Sequence, residues 1–250
     1  MKKYFLVFQQ SFSLFTTYRL EIFFQIIQNF IPSAIMIAAL SFSVPTSTIQ
    51  VINLIPYYVL ISLIYPLIRS GIDEEMDNLT NSGQINTFLL KPFSLFKWLY
   101  SKSLSEKMLI LLTLSPVLLL VLVISNFTFF KLLFLSISLF IAFTLSFTLS
   151  YFIGLFCFWI EDFWAVHNVK HVTIQLLGGI VLPYSFFPDD IASILRFTPF
   201  PYIVSWPVKI IQNQINYVDV FTSITWIMIL FFLVRILQYK AIQKYSFTAL

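Results

Sequence analysis

From Ile22 to Ile68 the chain carries no charged residue. A helix crosses a hydrocarbon core of roughly 30 Å with about 20 apolar residues, so this one interval holds about two crossings. Its middle, Ser43-Val44-Pro45-Thr46-Ser47-Thr48, is turn-like, and the interval reads as a helical hairpin. A soluble core cannot hide that much apolar surface. With 59% hydrophobic and only 10% charged residues, and a mean hydropathy of +0.89, the chain lies outside the soluble globular class.

Further charge-free stretches run from Met108 to Phe130 and from Leu132 to Ile160, with shorter ones from Val172 to Pro188 and from Val220 to Val234. They predict an all-α polytopic membrane protein, a single transmembrane domain over 1–250, with six spans near 22–42, 50–68, 108–126, 133–157, 167–187 and 217–237. Lys and Arg then set the orientation, because loops retained in the cytoplasm keep positive charge. An inside N-terminus leaves only Lys131, Arg196 and Lys209 outside and puts the other twelve basic residues inside. Both termini are therefore expected in the cytoplasm. Topology alone accounts for the net charge of +4, and no nucleic-acid partner is invoked. The single cysteine, Cys157, excludes an intrachain disulfide, and Lys2-Lys3 with five apolar residues does not resemble a cleaved signal.

Tyr4, Phe8, Phe12 and Phe15 recur at helical spacing with Gln9, Ser13 and Thr16 on another side, so residues 1–21 are expected to form an interfacial helix before the first span. The longest inner segment, Arg69 to Lys107, contains the acidic run Asp73-Glu74-Glu75 and then Leu89-Leu90-Lys91-Pro92. Apolar residues among charges suggest a docking surface, against the plainer reading of a solvated face. A second inner loop holds Glu161-Asp162 between tryptophans, which equally describes an acidic turn with interfacial anchors. The outer segment before the last span is broken by Pro183, Pro188, Pro199, Pro201 and Pro207, too apolar for a free loop. It predicts short helices seated at or dipping into the outer leaflet.

Groups for catalysis are scarce. His167 and His171 are spaced i, i+4, suitable for two metal ligands, but Lys170 adjoins them and a third ligand is not apparent; interfacial histidines are the plainer reading. Five glycines form no phosphate loop, so the chain is not its own ATPase. Asp189-Asp190 after Pro188 reads as a helix start. With almost no charge inside the spans, coupling through a buried carboxylate is disfavoured, and uphill transport would need energy supplied by another chain.

Tyr18-Arg19 before span 1, Gly83 through Leu89-Leu90-Lys91-Pro92, Phe158-Trp159-Ile160-Glu161-Asp162 after span 4, and the prolines of the outer segment together resemble the membrane subunit of type-2 ABC exporters, in their six-span bacterial branch. Lys91 stands where arginine looks more usual, which keeps the charge. The resemblance implies an N-terminal elbow helix, a cytoplasmic coupling region between spans 2 and 3, and outer re-entrant helices between spans 5 and 6. It implies a permease in the bacterial cytoplasmic membrane, with no cofactor of its own. ATP and magnesium would sit on a separate ATPase in two copies, and a second permease, identical or not, would complete the assembly. Asp73, Glu74, Glu75, Leu89, Leu90 and Lys91, with Glu161 and Asp162 behind them, are the expected ATPase contacts. The aromatic-rich, charge-poor wall suits an amphipathic or lipid-like cargo such as a drug, peptide or lipid. Two other classes remain open: a non-transporting immunity or scaffold protein, and an intramembrane metalloenzyme using His167, His171 and Glu161.

Overall fold

The computed structural model describes residues 2–17, 19–43, 48–89, 94–124, 128–160, 162–212, 214 and 216–248. All regular structure among them is helical. The order is α1 (Lys2–Thr17), α2 (Arg19–Ser43), α3 (Thr48–Ile68), α4 (Ile72–Asn81), α5 (Ile85–Leu89), α6 (Leu95–Ile124) and α7 (Phe129–Gly154), then α8 (Trp164–Leu177), α9 (Asp189–Leu195), α10 (Phe200–Ile203), α11 (Ser205–Ile211) and α12 (Tyr217–Thr248). A single 3-10 turn, Leu155–Phe158, follows α7, and another, Tyr184–Phe186, precedes α9.

The long helices differ in what surrounds them. α6 and α12 bury only 17% of their most apolar windows, whereas 72% of the window beginning in α3 is buried. Leu112, Leu119, Leu120, Phe221, Met228 and Phe232 all stand exposed, which water would penalise and hydrocarbon does not. α3 is thus the wrapped central helix and α6 and α12 are the lipid-facing ones. Its buried face, Tyr58, Ile61, Leu63, Ile64 and Ile68, forms the main core with Leu145 and Leu149 of α7 and with Trp206, Val208 and Ile210 of α11. A second core at the α4 end packs Ile72, Met76 and Leu79 against Phe147, Tyr151, Leu155 and Phe163.

At 30 residues α6 is about 45 Å long, so it starts well before the apolar stretch that begins at Met108. The extra turns carry Lys97 and Lys102, and α1 lies against this helix. Ser94 N–H donates to the Tyr4 hydroxyl at 3.2 Å, and Lys97 Nζ sits 5.9 Å from the Tyr4 ring centre. The elbow expected over 1–21 is accordingly an independent helix packed on the polar end of span 3.

The helix at the expected fifth span, 167–187, departs most from expectation: it is not among the four described helices long and apolar enough to cross a membrane. α8 has 14 residues, about 21 Å, and stops at Gly178-Gly179. Gly179 has φ +84, and a Cβ there would meet Ser205 Oγ at 2.3 Å and the Tyr57 hydroxyl at 3.0 Å. A helix end inside a membrane protein leaves carbonyls that nothing in hydrocarbon can satisfy. Here distant hydroxyls meet them: Tyr184 donates to Leu177 O, Ser205 to Gly178 O at 2.6 Å, Tyr57 to Gly179 O at 2.5 Å and Tyr58 to Val181 O at 2.8 Å.

Beyond this break the chain folds back as α9 to α11. Pro188, not an aspartate, is the residue preceding α9, and Asp189 and Asp190 occupy its first turn, where carboxylates complement the positive end of the helix dipole. Pro183, Pro199, Pro201 and Pro207 are buried, and α11 wedges between α3 and α7 with Trp206 2% exposed. Proline costs little at these places because each lies at the start of a short helix or between two. The segment expected to be re-entrant thus forms short helices held by core packing.

Candidate coupling site and cavity

α4 is amphipathic. Ile72, Met76 and Leu79 face the core at i, i+4, i+7, and Glu74, Asp77, Asn78 and Asn81 face outward or lie partly open. Asp73, Glu74 and Glu75 fill its first turn, where their charge complements the free N–H groups. The helix lies hard against the end of α7: a Cβ on Gly154 would come within 2.9 Å of Asp73 Cα and 3.0 Å of Met76 Sδ.

Asp73 is engaged within the chain. Its side chain is fully buried, with Oδ1 accepting from Lys170 Nζ at 2.5 Å and Oδ2 lying 2.7 Å from His167 Nδ1. Lys170 Nζ also donates to Ser70 O at 3.3 Å and to Ser150 Oγ at 3.4 Å, while Ser150 Oγ donates to Ser70 O at 3.1 Å. Residues 167 and 170 are one turn apart on α8, so both reach the same carboxylate. α4, the segment before it, α7 and α8 therefore share one network. Glu75 is also engaged within the chain, pairing with Lys102 of α6, whose Nζ lies 5.7 Å from the Trp98 ring centre.

The other expected contacts fall differently. Glu74 is 64% exposed, its Oε2 lying 3.9 Å from His167 Nε2, and Asp162 is exposed. Leu89 ends α5, and Leu90, Lys91 and Glu161 lie outside the described residues. Asp77, absent from the expected set, joins the outward face. Burial raises its carboxyl above the usual range against a hydrogen bond from Asn81 at 3.0 Å, and the neighbouring Asp162 and Glu74 raise it further. Glu74, Asp77 and Asp162 thus form an acidic outer surface, while Asp73 and Glu75 tie α4 to the rest of the fold. Among the described residues, no three His, Cys, Asp or Glu side chains group as metal ligands; His171 meets Gln175 at 3.1 Å, four residues on in the chain.

A cavity of about 500 Å³ opens between α2, α3, α4, α6 and α8. α3 gives it Ile61, Ser62, Tyr65 and Arg69; α6 gives Glu106, Lys107 and Ile110; and α8 gives His171 and Gln175, with Ile180 and Val181 just past the break. α2 closes it with Gln28, Pro32, Ser33 and Met36. Ser62 Oγ donates to Ser33 Oγ at 2.7 Å across the α2–α3 contact.

The family model for "ABC-2 family transporter protein" matches residues 47–249, everything from the start of α3 to the end of α12. The chain belongs to this family. No curated protein matches it. Within an ABC-2 transporter this chain is the membrane component and not the catalytic one, and the family generally works with an ATPase partner. The matched region holds α4, the Asp73–Lys170 network, the cavity walls α3, α6 and α8, and the short helices α9 to α11.

In the sequence Lys170 stands out only as the neighbour of the histidines, and His167 reads as interfacial. One signal was available. A lysine one turn from a histidine in an apolar helix is costly to bury without an acid, and Asp73-Glu74-Glu75 is the longest acidic run in the chain.

Proposed function

We propose that this chain is the permease subunit of an ATP-driven exporter that moves an amphipathic or lipid-like molecule across the bacterial cytoplasmic membrane. Energy comes from a separate ATPase in two copies, and a second permease completes the pathway. The basic residues favour cytoplasmic termini and a cytoplasmic α4. One observation carries the mechanism: a buried ion pair joins α4 to α8, and α8 lines the cavity.

Closure of the ATPase dimer presses on α4 and α5 through the acidic outer surface, the Leu89-Leu90-Lys91 stretch and the Glu161-Asp162 turn. α4 cannot slide away from α8, because separating Asp73 from Lys170 would leave two uncompensated charges out of water. Movement of α4 is therefore carried into α8, and the break at Gly178-Gly179 lets α8 tilt while the re-entrant helices stay packed in the core. The cavity between α2, α3 and α8 changes shape as a result. Interfaces and packed cores move between discrete arrangements, so a small displacement at α4 suffices.

The test is to purify the chain with the ATPase encoded beside it. Co-purification, with ATPase activity altered by Leu90→Asp, supports the proposal. An ATPase that never co-purifies, or activity indifferent to Leu90→Asp, removes it. A phenotype that persists after deletion of the ATPase gene would point instead to a scaffold.

A further inference from the structure

The cavity is polarised along its length. Arg69 directly follows the last residue of α3, Tyr65 lies one turn further in and Ile61 and Ser62 a second turn in; on α6, Glu106 and Lys107 precede Ile110. On α8, His171 is followed by Gln175, then by Ile180 and Val181. Charged side chains (Arg69, Glu106, Lys107) thus gather at the end near α4, polar ones (Tyr65, His171, Gln175) stand beside and beyond them, and apolar ones (Ile61, Ile110, Ile180, Val181) line the end toward α9 to α11. A site graded this way complements a molecule with a charged head and an apolar body.

The sign of the head follows from which charges are already paired. Glu75 is paired with Lys102, Glu106 with Lys107 at 3.2 Å, and Asp73 with Lys170. No carboxylate among the described residues comes within 4.0 Å of the Arg69 guanidinium, and Arg69 is exposed in the cavity mouth. Together with His171 it also borders the small adjoining void that Lys170 lines. The nearest cavity-lining acid left without a lysine, Glu74, turns its side chain mostly to solvent.

We propose that this cavity binds an amphiphile with an oxyanion head, phosphate or carboxylate, and that Arg69 is the head-binding residue. The inference rests on the permease reading and narrows its substrate class. Guanidinium is suited to the role because its planar fork meets two oxygens of one oxyanion at once, while the apolar body reaches Ile61, Ile180 and Val181. Both a lipid phosphate and a fatty-acid carboxylate offer that chemistry, and the probes separate them.

The experiment measures binding to the purified permease–ATPase complex in neutral maltoside micelles, by titration of its unfolding temperature. The probes are dodecyl phosphate, dodecanoate, dodecyltrimethylammonium and inorganic phosphate. Saturable stabilisation by one or both anionic amphiphiles is expected, with the tighter one identifying the head. Arg69→Gln should weaken that binding at least about tenfold, and Arg69→Lys, which keeps the charge but not the fork, by less. Equal binding of dodecyltrimethylammonium, equally tight inorganic phosphate, or affinity unchanged in Arg69→Gln would each overturn the proposal. Should Arg69→Gln fail to fold, the head-group comparison on the wild-type chain together with Arg69→Lys decides. Failure of any ATPase to co-purify would instead strike the permease reading, while anion-selective binding to the chain alone would stand.

Discussion

Replacing Lys170 with methionine removes one charge from a pair that water does not reach. The Asp73 side chain is 0% and that of Lys170 5% exposed, so solvent screening offers no relief. Breaking such a pair from one side costs about 3–5 kcal/mol, because the remaining charge stays buried without its partner. Lys170→Met leaves Asp73 with the His167 ring as its remaining side-chain partner. Asp73→Leu leaves the ammonium with Ser70 O and Ser150 Oγ at 3.3 and 3.4 Å, both long and neutral. The double variant Asp73→Leu/Lys170→Met has no stranded charge, and volume-matched apolar replacement of a buried pair ranges from neutral to stabilising. A double-mutant cycle from reversible unfolding in micelles should therefore return a coupling of at least about 2 kcal/mol. The refolded double variant also separates folding from transmission. It should hydrolyse ATP with its ATPase partner but lose the dependence of hydrolysis on cargo, since the charged tie between α4 and α8 is gone. Single-variant costs that simply add, with coupling under about 0.5 kcal/mol, would refute the buried-pair argument; full cargo dependence in the double variant would refute the transmission argument.

Other outcomes follow from the same geometry. Gly179→Ala should lower stability by about 1–3 kcal/mol, read from thermal unfolding, because a side chain there is strained at φ +84 and collides with Ser205. Tyr57→Phe should cost about 1–3 kcal/mol by stranding Gly179 O, whereas Tyr151→Phe should change little, its buried hydroxyl having no hydrogen-bond partner among the described residues. Charge reversal on the outward face of α4, Glu74→Lys with Asp77→Lys, should leave the unfolding temperature within a degree or two but abolish ATPase co-purification, since surface changes of this kind alter stability by about 0.5 kcal/mol or less. The raised carboxyl of Asp77 implies stability that is present at low pH and lost as pH rises through its folded-state pKa; Asp77→Asn should flatten that part of the stability–pH profile in acid titration.

Membrane insertion, helical class and the proline-broken character of the outer segment were all legible in the chain, because each is a sum over neighbouring residues. Hydrocarbon demands a long apolar run, and that demand is met or missed locally, as the charge-free stretch from Ile22 to Ile68 shows. The choice of Asp73 over Glu74 as the buried acid was not legible. Adjacent residues on a helix point about 100° apart, and only the position of α7, with Gly154 allowing close approach, decides which one enters the core. The same holds where α8 ends. Local hydropathy runs on past Leu177, but Tyr57, Tyr58, Tyr184 and Ser205 come from other elements to donate to Leu177 O and to the carbonyls of residues 178, 179 and 181 just past it, and Gly179 leaves them room. Hydropathy is additive along the chain and so can be read from it. The partner of a buried charge or a freed carbonyl is set by packing between segments some hundred residues apart, and that only the folded chain determines.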